Sequence, residues 1–315
     1  MQEKENEDGK ATKEESEDIL KKARQVGARA AEALEMAKGL VKPGAKLIDV
    51  AEKLEKFSRE GGMYPAFPLN LSINSEAAHY TPRLDDDKIF SEKDVVKVDF
   101  GVGLDGVLSD CAITIDLSGE HQKLVEAVHE ALMAAISKVH AGVEVREIGA
   151  AIEHEISSRG YKPIKNLGGH GVDVHDLHSY PFIPNYDNLG DTKLEEGKLI
   201  AIEPFATEQR GRGMVANGDI QEIFSFEGEK LVRLPSARKL QDEIMSKYPH
   251  EPFAARWLGG IAGTRFDLYT GMAELVKYGA VESHPMLVEI GGGIVAQEEL
   301  EVYVEKDGCE VVTKR

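Results

Sequence analysis

Residues 95–116 read VVKVDFGVGLDGVLSDCAITID, two alternating runs rich in β-branched residues around an Asp105-Gly106 turn. Each run carries an aspartate, Asp99 and Asp110, where a buried face favours apolar side chains. With Leu104-Asp105 as the two-residue turn, Asp99 lies across from Asp110. Val96 then faces Ile113, Val98 faces Cys111 and Val102 faces Val107. A slip of one residue would scatter those apolar pairs over both faces. The two carboxylates then share a face with side-chain roots about 5 Å apart. At an effective dielectric near 20, such like charges repel by roughly 3 kcal/mol. Three arrangements tolerate this: screening by solvent, protonation of one aspartate, or a cation between them.

The bulk composition narrows the setting. With 315 residues, 42% hydrophobic and 30% charged, the chain has the make-up of a soluble globular protein of one or two domains. A formal net charge of -18 argues against a general grip on nucleic acid or anionic membrane. No apolar run reaches membrane-spanning length, and no hydrophobic signal core opens the sequence. Two cysteines, Cys111 and Cys309, make no disulfide framework, which points to a reducing cytoplasm.

Residues 1–18 hold eight acidic residues and three lysines with almost nothing to bury, so a disordered acidic tail is expected there. Helical spacing follows Ser16, and again from Leu47 to about Arg59. Shifted by 98 positions, residues 43–71 fall on 141–169: Gly44 meets Gly142, Val50 meets Ile148, Gly62 meets Gly160 and Pro65 meets Pro163. The glycine and proline matches weigh most, because they fix backbone turns. Extending the repeat sets KLIAIEPF, with Glu203, against the Asp99 strand, and IVAQEELEVYVE, with Glu299, against the Asp110 strand. Between Glu203 and Glu299 lies a long insertion, 208–290, with helical spacing in SARKLQDEIMSKY and RFDLYTGMAELVKYGAV. The pattern predicts an α/β fold of two similar halves facing each other across four carboxylates, with an inserted helical subdomain.

Four carboxylates in a dry cleft do not all ionise without cations. One neutral imidazole added to them leaves a ligand charge that two divalent ions balance. His170, in the glycine-rich NLGGHGVDVHDLH, is the candidate imidazole. An oxygen-rich set with one nitrogen suits Mn, Fe, Co or Zn. A metal pair can hold a bridging hydroxide and polarise a carbonyl, the equipment of a hydrolase.

Seven stretches in order, AFPLNLSINSEAAHYTP, VKVDFG, LSDCAITI, NLGGHGVDVHDLH, AIEPFAT, PFAARWL and GIVAQEE, resemble the type II methionine aminopeptidases of metallopeptidase family M24 in their short form. The resemblance covers about residues 19–315 and implies a pita-bread catalytic domain, its 208–290 insertion winged-helix-like. It implies metal ligands Asp99, Asp110, His170, Glu203 and Glu299, with Asp110 and Glu299 bridging two divalent ions and Glu203 doubling as general base. It also implies that His79 and His178 contact the scissile peptide and that Phe67 lines the methionine pocket. The expected activity is removal of the amino-terminal methionine from nascent proteins through a metal-bound hydroxide. The expected setting is cytoplasmic and monomeric, with a ribosome contact as a further partner. The competing readings are a Xaa-Pro peptidase of the same fold and a non-catalytic adaptor of ribosome or RNA. One departure stands out: the family reads Glu-His-Thr at its last ligand, where this chain has Glu299-Leu300-Glu301. Alternation turns Leu300 away from the metals and leaves Glu301 on the face of Glu299.

Overall fold

The computed structural model describes residues 13–314. Helix α1 (Lys13–Leu40) buries Ala23, Val26, Ala30, Leu34 and Ala37 along one stripe. The helix thus begins earlier than the expected end of the acidic tail at residue 18. Glu14 and Glu15 in the first turn complement the helix dipole, and Asp18 pairs with Lys22 at 3.1 Å one turn on. The rest of that expected tail, residues 1–12, lies outside the described residues. Helix α2 (Leu47–Ser58) follows, then β1 (Asn70–Ile73), β2 (Val95–Asp99), β3 (Val102–Leu104), β4 (Val107–Leu108) and β5 (Ala112–Asp116).

The hairpin register differs from the expected one by two residues. Asp99 pairs with Ala112 and Val98 with Ile113, while Leu104 faces Val107, so Asp105-Gly106 is the turn itself. The cause is backbone chirality. Asp105 and Gly106 sit at φ 50 and 83, the two positive values that a type I′ turn demands. A shift of two preserves the face of every side chain, so Asp99 and Asp110 remain on one side, diagonal rather than opposed.

The second half repeats the first in space. Helices α3 (Gln122–Ile136) and α4 (Val145–Ser158) precede β6 (Gly168–Asp173), β7 (Asp176–Pro184) and β8 (Leu199–Ile202). The starts of α2 and α4 are 98 residues apart, as the sequence repeat requires. Gly44 and Gly142 adopt φ 84 and 87, and their amides donate to Phe90 and Leu194 at 2.8 Å each. These glycines hold the same left-handed turn ahead of each helix.

An inserted segment then supplies β9 (Ile223–Phe226), α5 (Pro235–Lys247), β10 (Phe253–Ala254), α6 (Arg265–Lys277) and β11 (Val281–His284). It is less purely helical than its periodicity suggests: β9 lies between β10 and β11 in a three-stranded sheet. Short β-branched and aromatic runs such as IFSF escape helical-spacing analysis. The segment has its own core around Phe224, Leu240, Ile244, Phe253, Leu268 and Leu275. Arg256 latches it to the first half. Its buried guanidinium pairs with the buried Glu55 carboxylate and donates to Thr81 Oγ1 at 2.7 Å and to the Pro82 carbonyl at 3.1 Å. Trp257 Nε1 donates to the same carboxylate at 2.8 Å.

Strands β12 (Leu300–Glu305) and β13 (Gly308–Val311) complete a five-stranded sheet in the order β7-β6-β8-β12-β13, beside the β1-β2-β5 sheet. The two sheets meet where Ala112 and Glu299 exchange backbone hydrogen bonds at 3.0 and 3.3 Å. That junction draws the strands carrying Asp99, Asp110, Glu203 and Glu299 together.

Candidate metal centre

Asp110, His170 and Glu299 are 4%, 7% and 1% exposed, and one ligand atom of each lies within 4.8 Å of the other two. His170 Nε2 is 3.6 Å from Asp110 Oδ2 and 3.5 Å from Glu203 Oε1. Asp99 joins through Gln297, whose side-chain amide donates to Asp99 Oδ2 and Glu203 Oε2 at 3.4 Å and to Glu299 Oε2 at 3.5 Å. All five expected ligands therefore line one cavity of about 370 Å³, together with His79, His178 and Phe67. Cys111 points the other way into the core, with its thiol against the Phe100 carbonyl at 3.4 Å.

Close packing of backbone brings His170 into place. A Cβ on Gly169 would stand 2.1 Å from the Ala201 carbonyl oxygen, and one on Gly168 would stand 2.2 Å from that of Ile183. Only glycine allows strands β7, β6 and β8 to approach this closely. The His170 ring donates from Nδ1 to the Gly171 carbonyl at 3.1 Å, since a carbonyl only accepts. Burial pushes its pKa down to about 4. At neutral pH Nε2 thus presents a lone pair to the carboxylates, the form a metal requires.

The carboxylates show the reverse strain. Burial raises Asp99 to about 7 against the opposing hydrogen bonds from Gln297 and Asn70. Burial, then the charges of Asp99, Glu203 and Glu301, drives Asp110 well above its ordinary value. Glu203 and Glu299 rise in the same way, from burial first and neighbouring carboxylates second. Oδ1 of Asp99 and Oδ1 of Asp110 are buried with no hydrogen-bond partner among the described residues. Acceptors without donors, proton-holding carboxylates and an imidazole with its lone pair turned inward form a donor set that fits divalent cations.

His79 holds φ 63, a left-handed conformation rare outside glycine, at the end of the strand Glu76–Ala78. Its ring hydrogen-bonds to the Pro285 carbonyl, and burial, with His178 and His284 near by, lowers it to about 4. The His178 ring stands 4.4 Å from that of His170. Its desolvation within the cavity, then His170 and His284, lowers it to about 3. Phe67 is buried in the cavity wall with Leu177, Phe205 and Ile223.

Glu301 does not join the ligand cluster. It is fully buried behind Asp110, accepts that residue's backbone N–H at 2.8 Å, and is raised to about 8 by burial. Leu300 turns to the apolar core of the second half.

Two residues outside the expected site also reach the cavity or its carboxylates. Gln297 stands two residues before Glu299 on the same strand face, within GIVAQEE, a spacing that could have flagged it. His284 enters the cavity from β11, with Nε2 2.8 Å from Ser225 Oγ and its ring 6.4 Å from that of His79. The family resemblance sets His284 at an aromatic pocket position before the last strand, but only across a variable loop, so the sequence alone leaves it outside the expected site.

Comparison with known proteins bears on this geometry. The model of metallopeptidase family M24 matches residues 21–233. Over 290 residues the chain is 41% identical to the methionine aminopeptidase of Methanocaldococcus jannaschii, covering 92% of this chain and 97% of that protein. A structure of a thermophilic Arx1 superposes with a TM-score of 0.80 at 17% identity, covering 94% of this chain and 90% of that one. The methionine aminopeptidase of Thermotoga maritima superposes with a TM-score of 0.69 at 22% identity, covering 95% and 97%. At such identities the two structures bear on the fold alone.

Proposed function

The chain belongs to metallopeptidase family M24 and has its pita-bread fold, and on that premise we propose that it is a methionine aminopeptidase, releasing the amino-terminal methionine of nascent proteins by hydrolysis. The observation that carries this reading is the convergence of four carboxylates and one inward-facing imidazole on a cavity with an apolar wall.

Asp99, Asp110, His170, Glu203 and Glu299 would hold two divalent ions of Mn, Fe, Co or Zn, whose charge offsets the four carboxylates. When bound, such ions acidify a water and polarise a peptide carbonyl. The chain's own groups do the rest. Phe67, Leu177, Phe205 and Ile223 enclose the first side chain, and an apolar pocket suits a thioether. Glu203, within 3.5 Å of His170 Nε2, takes the proton of the attacking water and returns it to the leaving nitrogen. His178 stays neutral and donates an N–H to the oxyanion that develops at the carbonyl. His79 donates one ring N–H to Pro285, so its second nitrogen accepts an N–H of the substrate. The cytoplasm, a monomeric state and contact with the ribosome complete the proposal.

The test is methionine release from Met-Ala-Ser by manganese-loaded protein. Glu203→Gln and His178→Ala each lower kcat by about a hundredfold or more. Unchanged turnover in either variant refutes its role, and absence of both metal uptake and cleavage in the native protein refutes the activity.

A further inference from the structure

Residues 249–252 join α5 to β10 without regular secondary structure, yet they form a partition between two cavities. Pro252 lines the metal-centre cavity, and Glu251 lines a second one of about 430 Å³. Glu251 ties this partition to both halves of the fold. Its side chain is 11% exposed, and Oε1 accepts from the Tyr64 hydroxyl at 3.1 Å and from His175 Nδ1 at 2.7 Å. The Tyr64 hydroxyl in turn accepts the backbone N–H of Gly106 at 3.1 Å, and the backbone N–H of His175 donates to the Gly106 carbonyl at 2.9 Å. Four segments thus close a ring of hydrogen bonds. Three of them carry site residues close by: Tyr64 precedes Phe67, Gly106 precedes Asp110, and His175 lies between His170 and His178.

Close packing fixes the ring. A Cβ on Gly106 would stand 2.5 Å from His175 Nε2, and one on Gly103 would stand 2.4 Å from Tyr64 Cε2. Burial, then the Glu251 charge, raises Tyr64 to about 12, so its hydroxyl keeps the proton it donates. His175 holds φ 60, a strain that persists only where the surroundings over-determine it. Strand β6 is paired on both sides, with β7 and β8, so the His175 turn is the anchor and the partition is the part held. We infer that Glu251 is a positioning residue, which fixes Pro252 and with it the width of the substrate cavity by tying the partition to the Tyr64 hydroxyl and the His175 turn. This rests on the aminopeptidase reading. Pro252 offers a substrate contact surface and no reacting group, so the effect falls on KM rather than kcat. The Arg256–Glu55 and Arg83–Glu222 pairs hold the inserted segment to the first half independently of the ring.

The test compares manganese-loaded native protein, Glu251→Ala, Glu251→Gln and Tyr64→Phe on Met-Ala-Ser, with metal content measured in each. Glu251→Ala raises KM about tenfold and keeps kcat within about twofold. Glu251→Gln, whose amide oxygen still accepts both bonds, keeps KM within about threefold of native. Tyr64→Phe deletes one oxygen from the ring and raises KM about threefold, a milder probe should Glu251→Ala fold poorly. Amide hydrogen exchange in the metal-free proteins is the second readout: residues 249–255 exchange about tenfold faster in Glu251→Ala, while α3 is unchanged. Faster exchange or a lower Tm with native KM makes the ring structural only and overturns the proposal. A loss in kcat that Glu251→Gln shares, or reduced metal content in Glu251→Ala, overturns it as well, and each of these leaves methionine release by the native protein intact. Native protein that releases no methionine overturns the parent reading, and this one with it.

Discussion

The backbone N–H of Asp110 donates to the buried carboxyl of Glu301 at 2.8 Å, across 191 residues of sequence. Glu301 thereby grips the main chain from which one proposed metal ligand projects, while its second oxygen, Oε1, has no partner among the described residues. Outer groups of this kind commonly govern metal affinity by about ten- to a hundredfold. Glu301→Gln retains an acceptor and keeps manganese affinity within about threefold, whereas Glu301→Ala loses at least tenfold. Isothermal titration of the metal-free protein measures both, and native affinity in Glu301→Ala ends the positioning role.

Metal should also be visible as stability. An ion that binds only the folded chain adds about 2.7 kcal/mol at a hundred times its Kd. Manganese raises the Tm of the native protein. The rise is absent in Asp110→Asn, which removes a charge without changing side-chain volume, and in Gly169→Ala, whose Cβ would meet the Ala201 carbonyl at 2.1 Å. A full manganese-induced rise in Asp110→Asn would remove that residue from the ligand set.

The Arg256–Glu55 pair is buried at 6% and 4% exposure, so loss of one member strands the other. Arg256→Ala is expected to cost about 3–5 kcal/mol. Urea unfolding followed at Trp257, whose indole shares Glu55, reports that loss. The double variant Arg256→Met, Glu55→Leu recovers most of it, because two apolar groups leave no buried charge unpaired.

Glu222 gives the pH dependence a sign. Burial raises its carboxyl to about 7, despite Arg83 at 3.2 Å. Its folded value lies above its unfolded one, so the folded state binds the extra proton between about pH 4.5 and 7. Stability from this group is lost as pH rises through that window. Glu222→Gln flattens the fall in Tm between pH 5 and 8 and is more stable than the native protein at pH 8. An unchanged slope shows that Glu222 does not carry it.

Much of this was legible in one dimension. The 98-residue repeat, read from glycines and prolines, anticipated paired helices and matched turns, because positive-φ positions leave a compositional mark. Asp99 and Asp110 followed from strand alternation, which survives a register error of two, and Glu203 and Glu299 from extending the repeat. The register itself was misjudged because Leu104-Asp105 and Asp105-Gly106 both keep the apolar faces aligned, and only backbone chirality separates them. His284 stayed outside the expected site for a different reason: the resemblance reaches it only across a variable loop, and the packing of the insertion brings it to the cavity. Gln297 was overlooked although its two-residue spacing from Glu299 marks a shared face.

The proposed ligand set is split between the two halves, with Asp99 and Asp110 on one and His170, Glu203 and Glu299 on the other, two hundred residues from first to last. A partial translation product ending before Glu299 therefore exposes an acidic hollow that cannot load its ions. Proteolytic power arrives in one step, at the end of synthesis, and a truncated copy is inert toward the very peptides its complete counterpart would trim.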